Sequence, residues 1–230
     1  MIKLRNMLVA LIAICALSTS AFAGSFGLGV SGSMAVVQAE GTESEISGAA
    51  DTSVRTANAS NNTIIGSIFG EYIWDNGFAL GVDYIPGAAN VNSRTLSRTD
   101  TDGVGETDTT KSGVNSSQAE ISGVTTIYAE IPVHAGLYAK AGWTTMDVST
   151  KEKKPLTGTT TTSYGNTTVD GMMFGAGYKN TFGTNAYYKI EGTHTDFDSL
   201  TLTSDAAVLA NKITANLDVT KITFGLGYAF

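Results

Sequence analysis

The sequence predicts an all-β protein: a closed, antiparallel, up-and-down β-barrel of eight strands that crosses a membrane. Three observations predict it. Stretches in which apolar residues alternate with small or polar ones recur along the chain, the period-two signature of strands with two unlike faces. The segments between them run long, short, long, short, long, short, long. Aromatic residues gather at the strand ends beside the short connections. A soluble sandwich gives no reason for all the long connections to lie at one end, whereas a membrane barrel does.

Residues 1–23 read as a secretion signal. Lys3 and Arg5 give a positive start, Met7 to Leu17 is a short apolar run, and Ala21-Phe22-Ala23 is a small-x-small cleavage pattern. The run falls short of the roughly 20 apolar residues of a spanning helix. The barrel domain is expected over residues 24–230. Cys15 is the one cysteine and lies inside the signal, outside a lipoprotein box, so the exported chain is expected to form neither a disulfide nor a thiolate metal site. Losing Lys3 and Arg5 moves the net charge from −7 to −9. That balance disfavours a nucleic-acid partner, which calls for a Lys/Arg surplus. No basic amphipathic run suggests attachment to a membrane surface.

The first strand is Ser25 to Val37, with Phe26, Leu28, Val30, Met34 and Val36 on one face and Gly27, Gly29, Ser31, Ser33 and Ala35 on the other. Polar residues 38–61 suggest a loop. Asn62 to Trp74 is the second strand, with Ile64, Ile68, Tyr72 and Trp74 opposite Thr63, Ser67 and Glu71. Asp75-Asn76-Gly77 is a hairpin turn, because Asn-Gly accepts positive φ. The third strand, Phe78 to Pro86, sets Phe78, Leu80, Val82 and Tyr84 against Ala79, Gly81 and Asp83. A second polar loop is expected over 87–120. The fourth strand, near Ile121 to Ile131, and the fifth, near Gly136 to Val148, flank a short turn. A third loop covers about 147–168. The sixth strand, Val169 to Lys179, and the seventh, Asn185 to Phe197, flank another short turn. A fourth loop, 198–214, precedes the last strand. There Ile222, Phe224, Leu226, Tyr228 and Phe230 alternate with Lys221, Thr223, Gly225, Gly227 and Ala229. This strand is expected to pair with the first across the seam, Leu226 facing lipid and Lys221, Gly225 and Gly227 facing inward.

With the short turns periplasmic, outward aromatics mark a lower interfacial girdle: Phe26, Tyr72, Trp74, Phe78, Tyr178, Tyr188, Tyr228 and Phe230. Tyr84 and Trp143 are candidates for the upper one. The inward positions carry Glu71, Asp83, Glu130 and Glu191 together with Lys140, Lys179, Lys189 and Lys221. An unpaired charge in a narrow interior is costly, so these are expected to form an ion-paired plug. The competing expectation is a water-lined pore whose charges set ion selectivity. Phe-Gly-x-Gly recurs at Phe26, Phe174 and Phe224 with both glycines inward, which makes room for longer side chains opposite.

Several features together give the chain a family likeness: the Ala-Phe-Ala-Gly junction, Gly70-Glu71-Tyr72 before a turn, Tyr138-Ala139-Lys140-Ala141-Gly142 opening a strand, and the closing Gly225-Leu226-Gly227-Tyr228-Ala229-Phe230. With these, the chain resembles the small eight-stranded outer-membrane barrels of the OmpA/OmpX/opacity type. The resemblance implies an integral outer-membrane protein of a Gram-negative envelope. It implies that Phe224, Tyr228 and Phe230 form the signal read by the barrel-assembly machinery. The periplasmic peptidoglycan-binding domain frequent in that family is not expected here.

Other motifs weigh less. Gly27-Leu28-Gly29-Val30-Ser31-Gly32 matches a dinucleotide fingerprint in letters, but its glycines sit in strand register with no helical pattern after them. Asp100-Thr101-Asp102-Gly103 lacks the further acidic positions of a calcium loop. His134 falls in a short turn. His194, near Asp196, Asp198 and Ser199, is the one starting point for a lipid-modifying hydrolase, but its alternation points outward and its spacing to Ser199 does not match the adjacent His-Ser pair of the lipid-A esterases of this architecture. No catalytic, cofactor-binding or metal site is expected.

The expected role is structural or surface-interacting, with a largely plugged polar interior and loops that hold any extracellular ligand. A small porin-like channel is the alternative, and a lipid-modifying hydrolase the third reading. The expected partners are outer-membrane lipid and lipopolysaccharide, whose phosphates the acidic loops could bridge through divalent cations and Lys151, Lys153 and Lys154 could touch.

Overall fold

The computed structural model describes residues 24–47, 51–90, 96–102, 111–153, 164–204 and 212–230. The expected signal, residues 1–23, and Gly103 and Lys154 lie outside them. Ten strands are present among the described residues: β1 (Gly24–Ser47), β2 (Asp51–Trp74), β3 (Ala79–Asn90), β4 (Leu96–Asp102), β5 (Lys111–His134), β6 (Leu137–Lys153), β7 (Asn166–Phe182), β8 (Ala186–Phe197), β9 (Leu200–Thr203) and β10 (Lys212–Ala229). Eight of them close a ring in the order β1-β2-β3-β5-β6-β7-β8-β10, sealed by antiparallel pairing of β1 with β10. Closure removes the free sheet edges that a lipid environment does not tolerate. At the seam Val30 pairs with Leu226 and Leu28 with Tyr228. The two short strands are accessories: β4 pairs with β5, and β9 with β10.

The alternation read from the sequence fixes the two faces. On β1, Leu28, Val30 and Met34 are exposed while Ser33, Ala35 and Val37 are buried. On β10, Ile222, Phe224, Leu226 and Tyr228 are exposed while Thr223 is buried. The outward apolar row of β1 runs from Phe26 to Val36 and gives way to exposed Gln38 and Glu40. Those eleven positions match a tilted strand crossing an apolar layer about 25–30 Å thick.

The strands continue far past that band, and this corrects the expected loops. β1 and β2 stay paired through Ser47 and Asp51, and β1 keeps β10 on its other side as far as Ser44 and Lys212, so most of the expected loop 38–61 is a β1–β2 ribbon that continues the barrel wall. At about 3.4 Å per residue each 24-residue strand is roughly 80 Å long. β5 and β6 likewise pair from Ser116 and Lys153 down to their turn. Strand also takes 87–90, 96–102 and 111–120 of the expected loop 87–120, and the ends of the expected loop 147–168, at 147–153 and 166–168, while 198–214 holds 200–203 and 212–214 as strand. The Thr residues spread through these segments suit a half-exposed ladder once a partner strand is in place, and that context overrides a loop-like composition.

The short turns follow local chemistry. Gly77 adopts φ +84°, Trp74 N–H donates to Phe78 O at 2.9 Å, and Asn76 Oδ1 accepts from Phe78 N–H at 3.0 Å. The β5–β6 turn uses Ala135 at φ +48° and Gly136 at +85°. Two bulges bend the wall higher up, between Ile85 and Ala88 on β3 and between Ser122 and Thr125 on β5.

Candidate functional site

The interior is layered along the barrel axis. At the short-turn end, the turn-proximal segments of β2, β5, β6, β7 and β8 aim Glu71, Glu130, Lys140, Lys179, Lys189 and Glu191 at one point. Lys189 Nζ lies 3.0 Å from Glu71, 3.1 Å from Glu130 and 3.5 Å from Glu191. Lys179 binds Glu71 at 2.6 Å and also Glu130. Lys140 donates to both carboxylate oxygens of Glu191 at 2.9 Å. It lies 3.9 Å from Glu130, its register partner across the hairpin. Three cations meet three anions, so the knot is neutral as a unit. Its carboxylates are all buried. Charges taken out of water in this way persist only with dense mutual pairing and further hydrogen bonds.

Aromatic rings supply those bonds. Tyr128 Oη donates to Glu71 at 2.8 Å and Tyr138 Oη to Glu191 at 2.6 Å. Lys140 Nζ stands 3.8 Å from the Tyr128 ring centroid and Lys189 Nζ 4.0 Å from that of Phe69. The inward glycines provide the space. Gly27 and Gly227 lie against the Tyr187 ring, Gly81 against Tyr128 and Gly177 against Tyr138, and a Cβ at any of them would overlap the ring.

Above the knot comes a hydroxyl layer. Ser31 and Ser67 are 2.6 Å apart, Ser33 and Thr223 2.7 Å, and Thr126 and Thr144 2.9 Å. Asp83 sits here, accepting from Ser67 Oγ at 2.6 Å. Lys221 faces the same space. Among the described residues, neither Asp83 nor Lys221 joins an ion pair, so of the eight expected interior charges six converge and two stand apart.

At the long-connection end the interior turns apolar. Val37, Ile121, Met146, Val148, Val169, Phe197 and Leu217 form a buried cluster. The sequence reading missed this layer because several members lie in or beside segments read as loop. Their signal was present as apolar residues two apart, Met146 with Val148 and Val37 with Ala39. Phe69, Tyr138 and Tyr187 were also missed as interior residues, although each lies two positions from an inward charge.

The aromatics expected at the interface ring the short-turn end. Tyr72 and Trp74 are 4.7 Å apart edge-on, Trp74 and Phe78 5.2 Å, Tyr178 and Tyr188 6.2 Å, and Tyr228 and Phe230 5.0 Å. Phe26 is exposed and pairs with Tyr72 in register. Tyr72 lies on the outward row but is only 6% exposed, covered by its neighbours. Phe182, 50% exposed and 6.3 Å from Tyr188, joins the group. Tyr84 and Trp143 are exposed farther from that end.

His194 points outward, its Nδ1 3.0 Å from Thr220 Oγ1. Among the described residues no hydrogen bond links it to Ser199, and no group of three or more His, Cys, Asp or Glu is arranged to hold a metal.

Comparison with known proteins agrees with this architecture. The family model for the outer membrane protein beta-barrel domain matches residues 8–230. The fold is similar to the crystal structure of the outer membrane protein OprG from Pseudomonas aeruginosa, at 11% identity and TM-score 0.51, covering 91% of this chain and 97% of that one. It is also similar to the solid-state NMR structure of outer membrane protein AlkL in DMPC lipid bilayers, at 13% identity and TM-score 0.50, covering 91% of each chain. No curated protein sequence matches the chain.

Proposed function

The chain belongs to the outer membrane protein β-barrel domain family, and from that premise we propose that it is a sealed surface barrel of the Gram-negative outer membrane. The observation that carries this reading is the neutral knot of Glu71, Glu130, Glu191, Lys140, Lys179 and Lys189, walled by Tyr128, Tyr138, Tyr187 and Phe69. It occupies the periplasmic end of an eight-strand interior that is just wide enough for side chains. Ions crossing the barrel would have to displace buried, mutually bonded charges.

The role then falls to the outside. The band from Phe26 to Val36 and its neighbours contacts lipid. The aromatic ring, with Phe26, Tyr72, Trp74, Phe78, Tyr178, Tyr188, Tyr228 and Phe230, holds the periplasmic interface. Phe224, Tyr228 and Phe230 on the last strand are the contact for the barrel-assembly machinery. The β1–β2 ribbon, projecting beyond the bilayer, supports a surface-interaction role, presenting polar side chains to an extracellular ligand and to lipopolysaccharide.

Solute uptake tests the reading. Liposomes carrying the purified protein should take up small sugars and amino acids no faster than protein-free liposomes. Rapid, size-limited uptake would favour the porin reading instead.

A further inference from the structure

The wall of the barrel is incomplete at one place. β2 and β3 pair only from Ile73 and Ala79 up to Ile68 and Tyr84. Above that, both strands continue unpaired with each other, β3 bending away at its Pro86-Gly87 bulge, where Gly87 adopts φ +97°. They meet again where Asn61 Nδ2 donates to Asn90 O at 3.1 Å. Behind this opening lies a cavity of about 100 Å³.

Its walls and floor differ in chemistry. Ile65, Ile85, Ile121, Met146 and Phe197 make the walls apolar, and Lys221 stands in the lining among threonines. Lys221 has no hydrogen bond or ion pair among the described residues. Asp83 faces the adjoining space but accepts from Ser67 and does not reach it. A lone cation beside an apolar pocket favours one kind of guest, an anionic head on an apolar body, because the head gains a charge-assisted hydrogen bond and the body leaves water.

We propose that this cavity is a binding site for small amphipathic carboxylates, with Lys221 holding the carboxylate and the apolar walls holding a short chain or a single ring. The volume is of the order that takes up one small hydrocarbon ring. The opening between β2 and β3 is the route in from the side. The cavity lies above the charged knot, so the site does not depend on whether the periplasmic end conducts.

Methyl NMR of the full barrel in DMPC nanodiscs, labelled at the methionine methyls, tests this with hexanoate and 1-hexanol as probes. Met146 lines the cavity, whereas Met34 and Met172 face outward. Hexanoate should shift Met146 saturably and leave Met34 and Met172 in place, with hexanol weaker by about tenfold. K221Q should abolish that preference while keeping the fold, and A35L, which fills the cavity, should abolish binding of both probes. A Met146 signal that does not move, one that moves in step with Met34 and Met172, or a K221Q variant that keeps the tenfold preference would overturn the proposal.

Discussion

Lys189 Nζ lies 3.1 Å from Glu130 Oε1, and each of these two residues touches all three of the knot's opposite charges. They are the hub of the buried network. Removing the Lys189 charge leaves three buried carboxylates with two cations. Lys189→Met should therefore destabilise the barrel by about 3–5 kcal/mol, read from urea unfolding in lipid vesicles. Adding Glu130→Gln restores neutrality, so the double variant should lose clearly less than the sum of the two single losses. Additive losses would show that the pair is not coupled.

The glycine rows make a second prediction. Gly227 and Gly27 sit against Tyr187, so Gly227→Val forces the ring out of place. The expected loss is about 1–3 kcal/mol in the same unfolding assay. Tyr187→Leu in the Gly227→Val background should recover part of it. A fully stable Gly227→Val barrel would contradict the packing described.

How much of this was legible in the sequence depends on the kind of feature. Period two assigns a residue to a face, and that is why Leu226 points out and Lys221 in. It does not say which inward residues meet across the barrel, because shear and bulges decide that. Glu130 and Lys140 were legible as a pair because they flank one turn. The tighter Lys140–Glu191 contact joins strands that are not neighbours, and no local pattern announces it. Asp83 and Lys221 carry the same inward signal as the six knot residues but lie one layer higher, clear of the knot. The ribbon at 38–61 was hidden for a different reason: Ser, Thr and Gly read as loop when the partner strand is unknown.

The lipid-facing assignment makes a third prediction. Val30 is 59% exposed near the middle of the outward row. Val30→Arg should cost about 2–4 kcal/mol in folding into vesicles. Glu40→Arg, on the same row above the apolar band, should cost little. Equal costs would place the membrane boundary wrongly.

Hydrogen exchange tests the extended pairing of β1 with β2. Glu40 pairs with Asn58 and Ala39 with Ala59. Backbone amides in 38–43 should be protected in the lipid-embedded protein, less than those of 28–34 but well above an unstructured chain. Exchange at the rate of a free peptide would return this segment to a loop.

Planar-bilayer recording tests the central claim, that the charged knot seals the interior. The wild-type barrel should show no resolvable unitary steps. The Lys189→Met and Glu130→Gln variants should show intermittent openings where the network is broken. Large, steady wild-type conductance would contradict the sealed barrel and make the knot the lining of a pore.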